Sequence, residues 1–157
     1  MELKKGDIID VSIESLSFGG SGFAKYNDIA IFVEGGLPGQ KIKARLFKKY
    51  KSYFKAKIYE IINETPYLLE PKCRHFNDCG GCTFQNFNYK EQIKQKFNQV
   101  KDTLSHIGNF KSLKISPIIE AKEQFNYRNK MEFTFSNNPW FEKYNPKEKK
   151  GLCLGLH

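Results

Sequence analysis

The sequence predicts a mainly β protein with one clear helix: an N-terminal, OB-like small β-barrel over residues 1–65, then the first part of an α+β region over 66–157. Three observations carry this. Short runs in the first 65 residues alternate apolar and polar side chains between glycine turns, as half-buried strands do. One later stretch steps its apolar residues by fours and threes, the helical period. Between them, "CRHFNDCGGCTFQ" places Cys73, Cys79 and Cys82 at the spacing C-x5-C-x2-C.

The elements follow in order. In "DIIDVSIESL", Ile9, Val11 and Ile13 alternate with Asp10, Ser12 and Glu14 as one strand. "SFGGSGFAKYND" supplies a tight glycine connection, and its "FGGSG" lacks the Gly-Lys-Ser/Thr ending of a phosphate loop. "IAIFVEGGLPGQKIKARLF" gives a strand, a turn around Gly35–Gly39 and a further strand. "FKAKIYEII" closes the set, with Phe54, Ala56 and Ile58 set against Lys55, Lys57 and Tyr59. The prolines of "NETPYLLEPK" interrupt any ladder and mark a boundary.

Ile93, Phe97, Val100, Leu104 and Ile107 then build one apolar helical stripe, expected to face a core. Asn88 with Glu91 fits an N-cap and its reciprocal partner, and Gly108 fits a C′ terminator. "YRNKMEFTFS" alternates from Tyr127 to Phe135 as a strand, and "GLCLGLH" begins another.

A chain of 157 residues holds one ordinary domain or two small ones. Its hydrophobic fraction of 39%, with 14 Phe and 8 Tyr, suffices for a core and excludes wholesale disorder. Lys and Arg total 26 against 17 Asp and Glu, a net charge of +9 that points to a polyanionic partner. "MELKKGDIIDVSI" has no apolar signal region, and no stretch is long and apolar enough to span a bilayer. A cytoplasmic monomer without membrane contact is expected. In that reducing compartment, clustered cysteines bind metal more often than they pair.

Thiolates suit zinc or iron–sulfur iron. Zinc ribbons bring two C-x2-C knuckles, whereas only Cys79 and Cys82 form one here. Cys73 puts three ligands on one loop, and Gly80 and Gly81 let its backbone approach a cluster closely. Spacing alone leaves a [4Fe–4S] cluster, a zinc ion and plain structural thiols open.

"CRHFNDCGGCTFQNFNYKEQIKQKFNQV" resembles the cysteine loop and following helix of the RNA uracil-5-methyltransferases, which use S-adenosylmethionine on ribosomal or transfer RNA. The pattern is met by Cys73, Cys79, Gly80, Gly81, Cys82, Gln85, Tyr89, Gln92 and Lys96. "GGSGFAKY", "IFVEGGLPGQ" and "AKIYEII" resemble the TRAM domain, an RNA-binding barrel. "YRNKMEFTFS" and "LGLH" resemble the family's central domain. The resemblance implies a [4Fe–4S] cluster on Cys73, Cys79 and Cys82, and methylation at C5 of a uridine, in ribosomal RNA ahead of transfer RNA. The family's fourth cluster cysteine follows the stretch matching "LGLH"; Cys153 precedes it and reads as a small buried residue rather than a ligand.

No glycine-rich cofactor loop occurs on a strand-to-helix turn, and the family's catalytic cysteine and base find no counterpart here. The expectation is therefore a fragment without the methyltransferase domain, unable to catalyse by itself. S-adenosylmethionine would belong to the full-length enzyme only.

From Lys41 to Lys57 there are eight Lys/Arg and no acid, with Tyr50 and Tyr53 interleaved. Cations for phosphates and rings for unstacked bases are how single-stranded RNA is held. Lys48, Lys49, Tyr50, Lys51, Tyr53 and Lys55 are the expected contacts, with Arg128 and Lys130 extending the surface. The competing explanation is edge-strand protection by lysines. Two other functions compete. One is a stand-alone RNA-binding module with a structural zinc. The other is a radical methylthiotransferase, which C-x5-C and an N-terminal barrel both oppose.

Overall fold

The computed structural model describes residues 3–77, 80–137 and 151–156. The chain forms two compact units, Met1–Leu68 with Phe87–Ile118, and Leu69–Asn86 with Ile119–His157. The helix that follows the cysteines therefore belongs with the N-terminal strands, whereas the sequence reading divided the chain at 65/66.

The first unit contains β1 (Ile8–Ser12), β2 (Ser15–Leu16), β3 (Gly22–Tyr26), β4 (Ile29–Glu34), β5 (Lys41–Lys49) and β6 (Tyr53–Asn63). They form one sheet in the order β1-β5-β6-β4-β3-β2. Neighbours are antiparallel except β4 and β6, which run parallel. The alternation read from the sequence is the burial pattern: Ile9, Val11, Ile13, Ala24, Ile31, Val33, Ile42, Ala44, Leu46, Phe54 and Ala56 make one buried cluster. Asn27 and Asp28 both take positive φ between β3 and β4, the conformation a two-residue hairpin with strand twist requires.

Hydrogen bonds do not close the expected barrel, because β1 and β2 lie at opposite ends of the ladder. The physical reason is that they are successive parts of one bent run. Ile13 N–H bonds the Gln40 carbonyl at 2.9 Å, and Glu14 N–H bonds the Phe23 carbonyl at 2.8 Å. The run thus changes partners within two residues, and covalent chain rather than a ladder links the edges.

The segment after β6 is tied back to the sheet. Buried Gln40 accepts from Leu37 N–H at 2.7 Å and donates to Glu64 Oε1 at 2.6 Å, which also accepts from Thr65 N–H. A buried amide whose oxygen and nitrogen are both used is a rigid joint.

Helix α1 spans Tyr89–Asp102 with Asn88 as N-cap, its side chain accepting from Lys90 N–H at 3.0 Å. The reciprocal bond expected from Glu91 is replaced: Asn88 N–H goes to the Tyr67 carbonyl, and Glu91 pairs with Lys94. Beyond Asp102 a π-helical turn covers Thr103–Ile107. Gly108 has φ −76°, so the left-handed terminator expected there is Asn109 instead, at φ 60°.

The expectation that the helix stripe is core is met only in part, since Ile93, Phe97 and Leu104 are half-buried. Val100 is 48% exposed and Ile107 83%. The buried residue of α1 is Gln95, whose side-chain oxygen accepts from Leu16 N–H at 3.1 Å. Gln99 Nε2 donates to the carbonyls of Leu16 and Ser17, each at 3.0 Å. Two glutamine amides therefore satisfy the free backbone edge of β2, a position otherwise open to another strand.

In the second unit, β7 (Phe133–Ser136) pairs antiparallel with β8 (Cys153–Leu156). The strand expected from Tyr127 begins only at Phe133. Alternation needs a partner to become a strand, and β8 supplies four residues opposite Phe133–Ser136. No helix among the described residues is long and apolar enough to cross a membrane.

Candidate nucleic-acid interface

The acid-free segment Lys41–Lys57 occupies β5, the turn Tyr50–Ser52 and the first five residues of β6, where the sequence placed two strands and their connection. β1 flanks β5 over Lys41–Arg45 and β4 flanks β6 over Tyr53–Lys57, so edge protection does not account for Lys41, Lys43, Lys55 and Lys57. The ladder between them shifts register between Leu46 and Lys48, leaving Phe47 as an extra residue. A bulge re-aims the side chains that follow it, and Lys48 and Lys49 are both exposed.

The register sets like charges opposite each other, Arg45 against Lys57 and Lys48 against Lys55. Directly opposed like charges weaken a sheet. Rings lie beside several of these cations: Arg45 sits 4.7 Å from the Tyr59 ring centroid, Lys48 4.8 Å from Tyr50, and Lys57 5.8 Å from Phe47. Lys57 also approaches Glu34 at 3.8 Å, and Lys43 bonds Glu60 at 2.7 Å.

Tyr50 stacks on Tyr53 at 4.3 Å with rings 13° from parallel. The Lys48 ammonium hydrogen-bonded to Tyr50 holds the phenol below its ordinary range, and the same contact raises the Lys48 pKa. Lys48 is thus a full cation at neutral pH, beside two rings already stacked as adjacent bases are. Lys51 is exposed in the turn and Lys55 half-buried on β6.

Sequence reasoning missed Phe23 and Phe32, which lie 5.7 Å apart, with Phe32 in turn 5.1 Å from Tyr53. Their signal was the alternation itself, since Ala24, Ile31 and Val33 point into the core and their neighbours therefore point out.

Arg128 and Lys130, expected on a strand's polar face, precede β7 and lie in the second unit. Arg128 Nη2 donates to the Gly81 carbonyl at 3.1 Å, and Lys130 pairs with Glu132 at 2.6 Å. Their placement serves the second unit's own contacts.

In the cysteine loop, Gln85 joins two of the sequence-selected residues. Its side-chain oxygen accepts from Cys73 N–H at 3.2 Å, and its Nε2 donates to Cys82 Sγ at 3.1 Å. Both thiols are exposed and unpaired. Cys79 lies outside the described residues. Cys153 is half-buried and its thiol donates to the Gly151 carbonyl at 3.2 Å. Among the described residues, no three potential metal ligands are gathered together.

Residues 2–59 match the TRAM domain. An uncharacterized RNA methyltransferase of Clostridium tetani is 36% identical over 159 positions, covering 100% of this chain and 32% of that protein. A counterpart in Bacteroides thetaiotaomicron is 42% identical over 122 positions, covering 77% of this chain and 27% of its own. The chain thus spans about a third of the length of the curated relatives it matches. A solved structure, the Pyrococcus abyssi tRNA (uracil-54, C5)-methyltransferase with S-adenosyl-L-homocysteine, is 24% identical with a TM-score of 0.42, covering 60% of this chain and 21% of that one.

Proposed function

We propose, from a TRAM domain at residues 2–59 and homology to RNA methyltransferases, that this chain is the RNA-recognition and iron–sulfur portion of a larger S-adenosylmethionine-dependent RNA (uracil-5-)-methyltransferase. The observation that carries the reading is the outward face of β5 and β6. Two basic pairs, Arg45 with Lys57 and Lys48 with Lys55, face each other there beside part-exposed rings, an arrangement costly to a sheet and suited to phosphates and bases. The assignment to C5 of uridine rests on the cysteine-loop motif, and ribosomal RNA is the substrate to try first.

The purified 157-residue chain should bind unpaired RNA and transfer no methyl group from S-adenosylmethionine to ribosomal or transfer RNA. Methyl transfer by this chain, detected with labelled cofactor, would refute the division of labour. Failure to bind any RNA would refute the reading altogether.

The donor set of the cysteine loop fits an iron–sulfur cluster: Cys73 and Cys82 are exposed soft donors on one loop, oriented by Gln85. With Cys79 they would hold three irons, and the bound cluster would cross-link the loop covalently. Gln85 positions the two cysteines, and Arg128 holds the loop through the Gly81 carbonyl. Anaerobic reconstitution should load iron and sulfide that Cys82→Ser greatly reduces and Cys153→Ala leaves unchanged. Air-stable iron lost on Cys153→Ala would instead make Cys153 the fourth ligand. One zinc per chain without iron would favour the structural-zinc module.

A further inference from the structure

Four part-exposed rings form one row across the outer face of the first unit: Phe23 on β3, Phe32 on β4, Tyr53 at the start of β6 and Tyr50 in the turn. Successive centroids are 5.7, 5.1 and 4.3 Å apart with planes 56°, 86° and 13° from parallel, so the ring faces change direction along the row. Register explains the row. Phe23 faces Phe32 directly, and Tyr53 faces Ala30, one diagonal step from Phe32. The core does not use these rings, because Ala24, Ile31, Val33, Phe54 and Ala56 fill it from the opposite face.

Cations border the row. Lys25 shares the outward face of β3 with Phe23, Lys55 lies opposite Phe32, and Lys48 lies over Tyr50. Glu34, the acid on that face of β4, stands 3.8 Å from Lys57. A strip of apolar rings flanked by ammonium groups has the charge and shape of a track for single-stranded nucleic acid. Every base has a π-face, so such a track is tolerant of sequence.

We propose that Phe23, Phe32, Tyr53 and Tyr50 together form a stacking row for consecutive unpaired RNA bases, with Lys48 as a displaceable cover that leaves the Tyr50 ring for a phosphate when a base arrives. This deepens, and rests on, the reading that the chain recognises RNA. The exchange balances because a phosphate replaces the hydrogen-bond partner the ammonium gives up at Tyr50, the cation–ring contact at an exposed site is weak, and a base stacked on a ring gains more. No covalent bond is made or broken; one ammonium exchanges its contact and hydrogen bond with Tyr50 for a phosphate.

Cross-strand rings can also serve only to stiffen a sheet. Binding of the full chain to fluorescein-labelled oligouridine and to an abasic oligomer of equal length separates the two roles. The parent should bind oligouridine more tightly than the abasic oligomer. Phe32→Leu keeps apolar bulk, and Phe32→Leu and Tyr50→Leu should each weaken oligouridine binding roughly 5- to 150-fold. Neither should alter abasic binding or the salt slope, and thermal melting checks that each variant is folded. Lys48→Ala should instead flatten the slope by about 0.7 for both oligomers.

Equal parent affinity for the two oligomers, or folded leucine variants within twofold of the parent, would overturn the row while leaving RNA binding intact. Parent binding to neither oligomer would overturn the row together with the reading beneath it.

Discussion

Replacing Lys48, Lys49 and Lys51 together with alanine should weaken RNA binding across sequences and flatten the dependence of log K on log salt by about two units. The number follows from counterion release, which gives about 0.7 per phosphate contact on a single strand. Over a fourfold rise in salt, a difference of two units makes the parent's advantage shrink about 16-fold. Stability should move the other way or not at all. Lys48 faces Lys55 across the β5–β6 pair, so removing it relieves a repulsion. A variant that melts no lower than the parent yet binds less tightly would locate the loss in the interface. Lys94→Ala and Lys101→Ala, on α1, are the control and should change little. Were the helix changes to weaken binding while the turn changes did not, the sheet would be scaffold and the interface elsewhere.

Much of that interface was legible because local alternation decides which face a strand residue takes. Ile42, Ala44 and Leu46 on β5, with Phe54 and Ala56 on β6, are buried as the pattern required, so the intervening lysines had to point out. What local pattern cannot carry is adjacency. The parallel pairing of β4 with β6 brings Phe32 to Tyr53, and nothing near either residue announces it. The bulge at Phe47 is equally silent, since a bulge exists only relative to a partner strand. The helix shows the converse failure. Its apolar stripe was plain to read, but α1 docks through Gln95 and Gln99 onto the exposed backbone of β2, and a periodicity of apolar residues cannot show contacts made by amides. The cysteine loop was legible as a donor set, and Gln85 as a motif residue. Only the fold shows Gln85 bonding the backbone of one cysteine and the thiol of another.

Gly22→Ala should be among the most destabilising single-methyl changes in the chain, and its effect should reach the interface. A Cβ on Gly22 would lie 2.7 Å from the Gly36 carbonyl oxygen, 2.9 Å from the Gly36 carbonyl carbon and 2.9 Å from Ile13 Cγ2. Two of the three atoms are backbone, so no side-chain rotation relieves the contact. Either β3 or the turn after β4 has to move. The turn is poorly placed to yield: Gly36 N–H bonds the Val33 carbonyl at 3.2 Å, and Val33 lies opposite Gly22 in the β3–β4 register. Overpacking of this kind costs about 1–3 kcal/mol, sometimes more. For a unit of this size each kcal/mol corresponds to about 4–8 °C in melting temperature. The next rung of that register is Phe23 against Phe32, so a displaced β3 should also misalign the first two rings of the row. The variant should therefore lose affinity for oligouridine even below its own melting transition, while keeping abasic binding. Gly155→Ala is the matched control, since a Cβ there meets nothing within 4 Å. A Gly22→Ala protein melting within about 2 °C of the parent, less than 1 kcal/mol would shift it, would mean that the turn after β4 gives way freely and that glycine at 22 is not required by the approach of Gly36.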